Sequence, residues 1–234
     1  MGRLRRRLTG FYAGGSLGHA SGESEASVAL GGQWSIETQA LRDGVTDFWS
    51  ATLEPEGWSY GVQAGYNREF ASAFTIGGEI GYAIFDADDG RLTGQEVATS
   101  TAPALTYQVG NSVEIDSVLA ARANIGYDFE PVLAYVTLGY SWADVSVGAE
   151  TLSNGGYSKI GGASDTVGGF TYGLGAAMRL GGPWSARLEY THTEFDDVGF
   201  ETVYRPGSTF PGYVETFSQD LTLDVVSAGV NFHF

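Results

Sequence analysis

Apolar and polar residues alternate with a period of two along most of the chain, and apolar residues at helical spacing are scarce. Trp58, Tyr60, Val62, Ala64 and Tyr66 share one face, and Ser59, Gly61, Gln63, Gly65 and Asn67 share the other. The same pattern sets Phe74, Ile76, Ile80, Tyr82 and Ile84 against Thr75, Gly77, Glu79, Gly81 and Ala83. It predicts eight strands, over 10–18, 58–70, 74–85, 113–129, 132–147, 169–180, 184–196 and 220–234. The stretches 71–73, 130–131 and 181–183 read as tight turns, the last two marked by Pro131 and by Gly181-Gly182-Pro183. Between them, 19–57, 86–112, 148–168 and 197–219 read as long polar loops. This alternation puts every short turn at one end of a single sheet and every long loop at the other, with both termini at the short-turn end. No internal domain boundary is expected.

Eight antiparallel strands close into a barrel whose apolar face points either into the lumen or out into lipid. The polar face decides. In the strands beginning at Ser59, Thr75 and Thr171 that face is rich in glycine, and only Glu69, Glu79 and Arg179 on it are charged. A water-facing wall would carry roughly 25–35% charged residues, whereas small residues with isolated charges suit a crowded lumen. The apolar face places Phe11, Trp58, Tyr66, Phe74, Tyr82, Tyr127, Tyr140, Trp142, Trp184 and Tyr190 near strand ends, as an aromatic girdle at two bilayer interfaces requires. The expected fold is therefore an all-β, eight-stranded antiparallel transmembrane barrel, with short periplasmic turns and four long extracellular loops. Several strands exceed the ~9–11 residues a crossing needs, so they should extend beyond the membrane on the loop side.

Composition agrees. Glycine supplies 35 of 234 residues, cysteine is absent, and the formal charge is −16. Lys159 is the one lysine among 12 basic residues, and four of the arginines lie within the first seven positions. The acidic remainder argues against a nucleic-acid partner. No apolar run reaches the ~18 residues of a membrane helix. The basic start, Met1 to Leu8, lacks the apolar run of a secretory signal. Residues 1–9 are therefore expected to be an unstructured remnant, and 10–234 one barrel domain.

The first strand, Gly10-Phe11-Tyr12-Ala13-Gly14-Gly15-Ser16-Leu17-Gly18, and the last, Val226 to Phe234, resemble the corresponding strands of small bacterial outer-membrane barrels of the OmpA and opacity type. The resemblance covers residues 10–234 and implies location in the outer membrane, with both termini periplasmic. It also implies that Phe232 and Phe234 act as a terminal signal read by the barrel-assembly machinery. It extends to the barrel alone, so no peptidoglycan-binding domain is expected.

Alternation points Gln63, Glu79, Arg122, Asn124, Arg187 and Glu189 inward near mid-height. In so narrow a lumen these charges must pair, and OmpA-type barrels similarly hold an inward salt-bridge plug. If the network is a plug, removing Arg122 should raise conductance; a gated ion path is the alternative. His233 should face the lumen, His19 should begin a loop, and His192 should share the lipid face with Leu188 and Tyr190, apart from Glu189. No nucleophile–base–orienter set is thereby assembled, so no catalytic residue is assigned. Asp86, Asp88, Asp89 and Glu96 miss the register of a calcium loop, and no metal or cofactor is expected. The loops carry many carboxylates, so lipopolysaccharide phosphates would need bridging divalent cations to bind there. Trp34, Phe48, Trp49, Tyr107, Tyr157, Tyr204, Phe210 and Tyr213 should either pack the loops together or offer a contact surface. Taken together, the expectation is a non-enzymatic barrel that supports the envelope and makes surface contacts. A narrow channel and a lipid-modifying enzyme are the alternatives.

Overall fold

A computed structural model describes residues 8–100, 102–208 and 212–234. In chain order it contains β1 (Gly10–Gly32), the 3-10 turn η1 (Gln33–Ile36), α1 (Gln39–Trp49), β2 (Ala51–Leu53), β3 (Glu56–Glu69), β4 (Phe74–Leu92) and β5 (Glu96–Val97). There follow β6 (Thr106–Asp128), β7 (Val132–Ser153), β8 (Ser158–Gly181), β9 (Trp184–Glu201), β10 (Val203–Tyr204) and β11 (Tyr213–His233). Eight long strands form an antiparallel ring in the order β1, β3, β4, β6, β7, β8, β9, β11, closed by pairing of β11 with β1. Toward the short-turn end the strands are paired on both sides, as a lipid environment demands.

The strands are much longer than the sequence pattern suggested. Most of 19–57, 86–112, 148–168 and 197–219 is strand, helix or turn, and between β7 and β8 only 154–157 remains as a connection. The reason is an inversion of the alternation. Toward the short-turn end β6 points Leu119, Ala121, Ala123, Ile125 and Tyr127 outward, with Arg122 and Asn124 inside. Beyond Ser117 it buries Val109, Val113 and Ile115 and exposes Ser112, Glu114 and Asp116. The first half has lipid-type polarity and the second half that of a soluble barrel. Register shifts at Ile84/Ala87, Ile115/Ser117 and Gln219/Leu221 lie in this changeover. A search for an apolar outer face stops where the outer face turns polar.

Above the changeover the interior is an apolar core that includes Val109, Val113, Ile115, Val145, Val147, Phe195, Phe200, Phe217 and Leu223. Helix α1 packs onto it. Thr38 caps its start by accepting the Leu41 N–H, and its apolar stripe buries Val45 and Trp49, with Leu41 and Phe48 packed alongside. At the opposite end Leu8 is buried against Leu133, Ala177 and Tyr135, and Thr9 Oγ1 accepts the Glu69 N–H at 3.1 Å. Leu8 and Thr9 are thus part of the barrel rather than of a free arm. Residues 1–7 lie outside the described residues.

The outer wall of the lower half carries two aromatic bands. Phe11 neighbours Tyr66, Phe74 neighbours Tyr127, and Trp184 neighbours Phe232 near the short turns. Trp58, Tyr82, Tyr140, Trp142, Phe170 and Tyr172 form the second band, and all of these aromatics except Phe232 are among the exposed large residues.

Candidate functional site

Tyr12, Glu79, Arg122, Tyr135, Arg187 and Glu189 meet at mid-lumen. Arg122 bridges Glu79 at 2.5 Å and Glu189 at 2.7 Å, and Arg187 bridges the same two carboxylates at 2.6 and 2.7 Å. Tyr12 donates to Glu79 at 2.7 Å and Tyr135 to Glu189 at 2.8 Å. Two guanidiniums and two carboxylates therefore alternate around a closed, neutral ring. All four side chains are at least nine-tenths buried. Such groups persist as ions because each has two opposite partners. The inward glycines make room for it: a Cβ on Gly65 would lie 2.5 Å from the Tyr12 hydroxyl oxygen, and one on Gly175 2.5 Å from that of Tyr135.

Gln63 belongs to the adjoining polar layer, donating to Asn231 at 2.8 Å and accepting from Ser16 at 3.4 Å. A hydroxyl chain completes it on the other wall, with Ser141 2.6 Å from Thr171 and Thr171 2.9 Å from Thr193. Asn124 does not join the ring. It lines a cavity of about 30 Å³ beneath, and its buried Oδ1 has no hydrogen-bond partner. A second cavity, of about 90 Å³, lies against Arg122, Arg187 and the hydroxyl chain. Tyr12 and Tyr135 escaped the sequence reading, although the same alternation turns both inward.

A second polar cluster lies at the far end, inside stretches expected to be loops. Glu215, with no exposed surface, accepts from Trp34 Nε1 at 2.5 Å and from Thr202 at 2.8 Å. It also accepts from the Tyr157 hydroxyl and pairs with Lys159. The Lys159 ammonium further donates to the Tyr213 carbonyl at 2.9 Å and sits 4.7 Å from the centre of the Tyr204 ring. Trp34, Trp49, Tyr107, Tyr157 and Tyr213 pack edge to face around this pair, with Trp34 and Tyr213 centroids 4.8 Å apart. Burial and the nearby Glu215 push the Tyr157 phenol up, and the same causes raise Tyr204 to about 12. The Tyr213 hydroxyl donates to Glu37, which holds its pKa up at about 12. The aromatics expected in the loops thus pack against one another, although Phe210 lies outside the described residues. The signal available in the sequence was Lys159, the one lysine of an acidic chain.

The histidines stand apart from both clusters. His192 faces outward at the upper aromatic band, its Nδ1 2.8 Å from Asp224 Oδ1, which also accepts from Tyr190 at 2.6 Å. His233 shares a 2.9 Å hydrogen bond with Ser185 in the lower lumen. His19 lies within β1, where it meets the Trp58 ring edge-on at 5.5 Å. It does not begin a loop. Asp86 and Asp88 are exposed on β4, and Asp89 accepts the N–H groups of Glu54 and Gly90. Among the described residues no three His, Asp or Glu side chains converge as a metal site.

Comparison with known proteins agrees with this architecture. The chain is similar to the 25 kDa outer-membrane immunogenic protein of Brucella canis, with 23% identity over 175 residues, covering 74% of this chain and 67% of the relative. Its fold is similar to the outer membrane protease OmpT of Escherichia coli, at a TM-score of 0.53 and 9% identity, covering 96% of this chain and 97% of the other. Neisserial surface protein A matches at a TM-score of 0.46 and 14% identity, over 97% and 98% of the two chains. The family model described as outer membrane protein beta-barrel domain matches residues 5–234, and the chain belongs to that family of Gram-negative-type outer-membrane β-barrel proteins.

Proposed function

We propose that this protein is a closed, non-enzymatic barrel that supports the outer membrane and presents its long-strand end at the cell surface, with both termini periplasmic. One observation carries the reading: the lumen is obstructed at three successive levels. The ionic ring fills the membrane half, the apolar core fills the half above it, and the Lys159–Glu215 cluster closes the mouth beneath α1. On this reading the ring acts as a plug and register lock, with its charges satisfied by one another rather than offered to a substrate. The likeness to a protease is a likeness of fold at 9% identity and brings no activity to this chain.

The exposed carboxylates above the upper aromatic band, among them Glu23, Asp88, Glu114 and Asp144, face outward around the wall. They repel phosphate directly, so contact with lipopolysaccharide would run through divalent cations. The barrel-assembly machinery is the expected partner during insertion, through Phe232 and Phe234. A gated narrow path is the second reading, favoured by the two cavities that flank the ring. Conductance across a planar bilayer separates the two, since the closed barrel gives none above baseline.

A further inference from the structure

The lipid-facing wall of the lower half is not evenly filled. Across β3, β4 and β6 a groove of about 730 Å³ runs over the outward positions Ala64, Gly78, Ala121 and Ala123. Phe11, Tyr66 and Ile80 stand exposed at its rim. Pairing sets Gly78 between Tyr66 and Ala123, and Ile80 between Ala64 and Ala121. A Cβ on Gly78 would meet nothing nearer than the Arg122 carbonyl oxygen, at 3.9 Å, so no neighbouring side chain fills the depression. Its volume falls within the ~300–1,000 Å³ of small-molecule sites.

Arg68 lies on the same outward face of β3, two residues and ~7 Å beyond Tyr66 toward the short turns. Among the described residues it is the one basic side chain on the outer wall of this half. Its cross-strand neighbour is Ile76, and its guanidinium sits 5.5 Å from the centre of the Phe70 ring. No carboxylate lies on the outward face of β3 or β4 between Arg68 and the upper aromatic band. An exposed guanidinium at the level of the lower aromatic band faces lipid head groups, and its planar fork matches a phosphate.

We infer that this groove binds one anionic glycerophospholipid, with an acyl chain over Gly78 between Tyr66 and Ala123 and the phosphate paired with Arg68. The surroundings of this wall are lipid, so the occupant is a lipid. A tail is as apolar as the wall, so burial alone does not select among lipids; packing in the groove and the head-group contact do. A zwitterionic head group brings its own cation to Arg68, whereas an anionic one does not. The proposed orientation puts the site in the periplasmic leaflet, but the test below does not depend on orientation.

The full chain is reconstituted in phosphatidylcholine vesicles with a trace of phosphatidylglycerol or phosphatidylcholine carrying the same photoreactive tail, and labelled residues are mapped by mass spectrometry. Phosphatidylglycerol should label 64–66, 78–80 and 121–123 about two- to fivefold more, as an exposed ion pair of ~0.5–1 kcal/mol allows. Arg68→Gln should remove the difference. Gly78→Leu and, separately, Ala123→Leu fill the groove and keep every charge, and each should remove the excess, with the heat-dependent gel shift showing a folded barrel. Equal labelling by both lipids in the parent protein would overturn the proposal. So would an excess that survives both filled variants, since net charge at that end would then be its cause. Stronger labelling by lipid A with the same tail, or crosslinks between two protein chains at the groove, would assign another occupant and overturn it as well.

Discussion

Arg122 of β6 reaches across the lumen to Glu189 of β9, with Nη1 2.7 Å from Oε1, although 67 residues separate them in the chain. The contact ties non-adjacent walls of the barrel, so its loss is felt beyond one strand pair. Arg122→Ala leaves Glu79 and Glu189 each short of a cation and is expected to cost about 3–5 kcal/mol. Arg122→Met with Glu79→Gln leaves the Arg187–Glu189 pair balanced and should cost less. Unfolding in urea, followed by the gel shift between unboiled and boiled protein, measures both. Equal stability of all three proteins would contradict the ring.

The second cluster predicts a local effect. Glu215→Ala strands the Lys159 ammonium and releases Trp34, Tyr157 and Thr202 at once. Helix α1 should loosen while the membrane half stays folded. Trypsin should then cut after Arg42 in α1 markedly faster than in the parent protein, with the heat-dependent gel shift retained. Unchanged cleavage would place the hold on α1 elsewhere.

The raised tyrosines give this end a pH dependence of definite sign. Tyr204 and Tyr213 titrate at about 12 in the fold, against an unfolded value of 10.0. A raised pKa stabilises the fold in full below pH 10, and that contribution is lost as pH rises through 12. Tyrosinate absorbance should show a late-titrating class, and tryptophan emission from Trp34 and Trp49 should shift to the red over the same interval. Titration of every tyrosine near 10 would contradict the packing.

The closing strand predicts an assembly defect. Phe232 neighbours Ala13 and Trp184, and the Phe234 N–H donates to the Phe11 carbonyl at 3.0 Å. Deleting Phe232–Phe234 removes this closure as well as the expected assembly signal. Fractionation of cells should show less protein in the outer membrane, and normal insertion would assign the signal to another segment.

The barrel, its strand order in sequence and the four charged residues of the ring were legible because lipid imposes one polarity rule on the lower half. Glu79 and Arg122 follow from that rule directly, since they sit opposite Ile80 and Ala121 in the pleat. The upper half obeys the opposite rule, so Val28, Val109 and Val167 looked like residues of polar loops. Their burial comes from facing walls brought together only by closure of the barrel. The Lys159–Glu215 pair was out of reach for the same reason: its partners come from η1, β8, β11 and the turn before β8, and no local spacing links them.

Three successive obstructions make conductance the most direct measurement of the closed barrel. Removing Arg122 alone leaves the apolar core and the Lys159–Glu215 cluster in place. Both wild type and Arg122→Ala should therefore stay at the baseline of a planar lipid bilayer, even though the variant is less stable. A large, steady conductance in the wild-type protein would contradict the account and establish a channel.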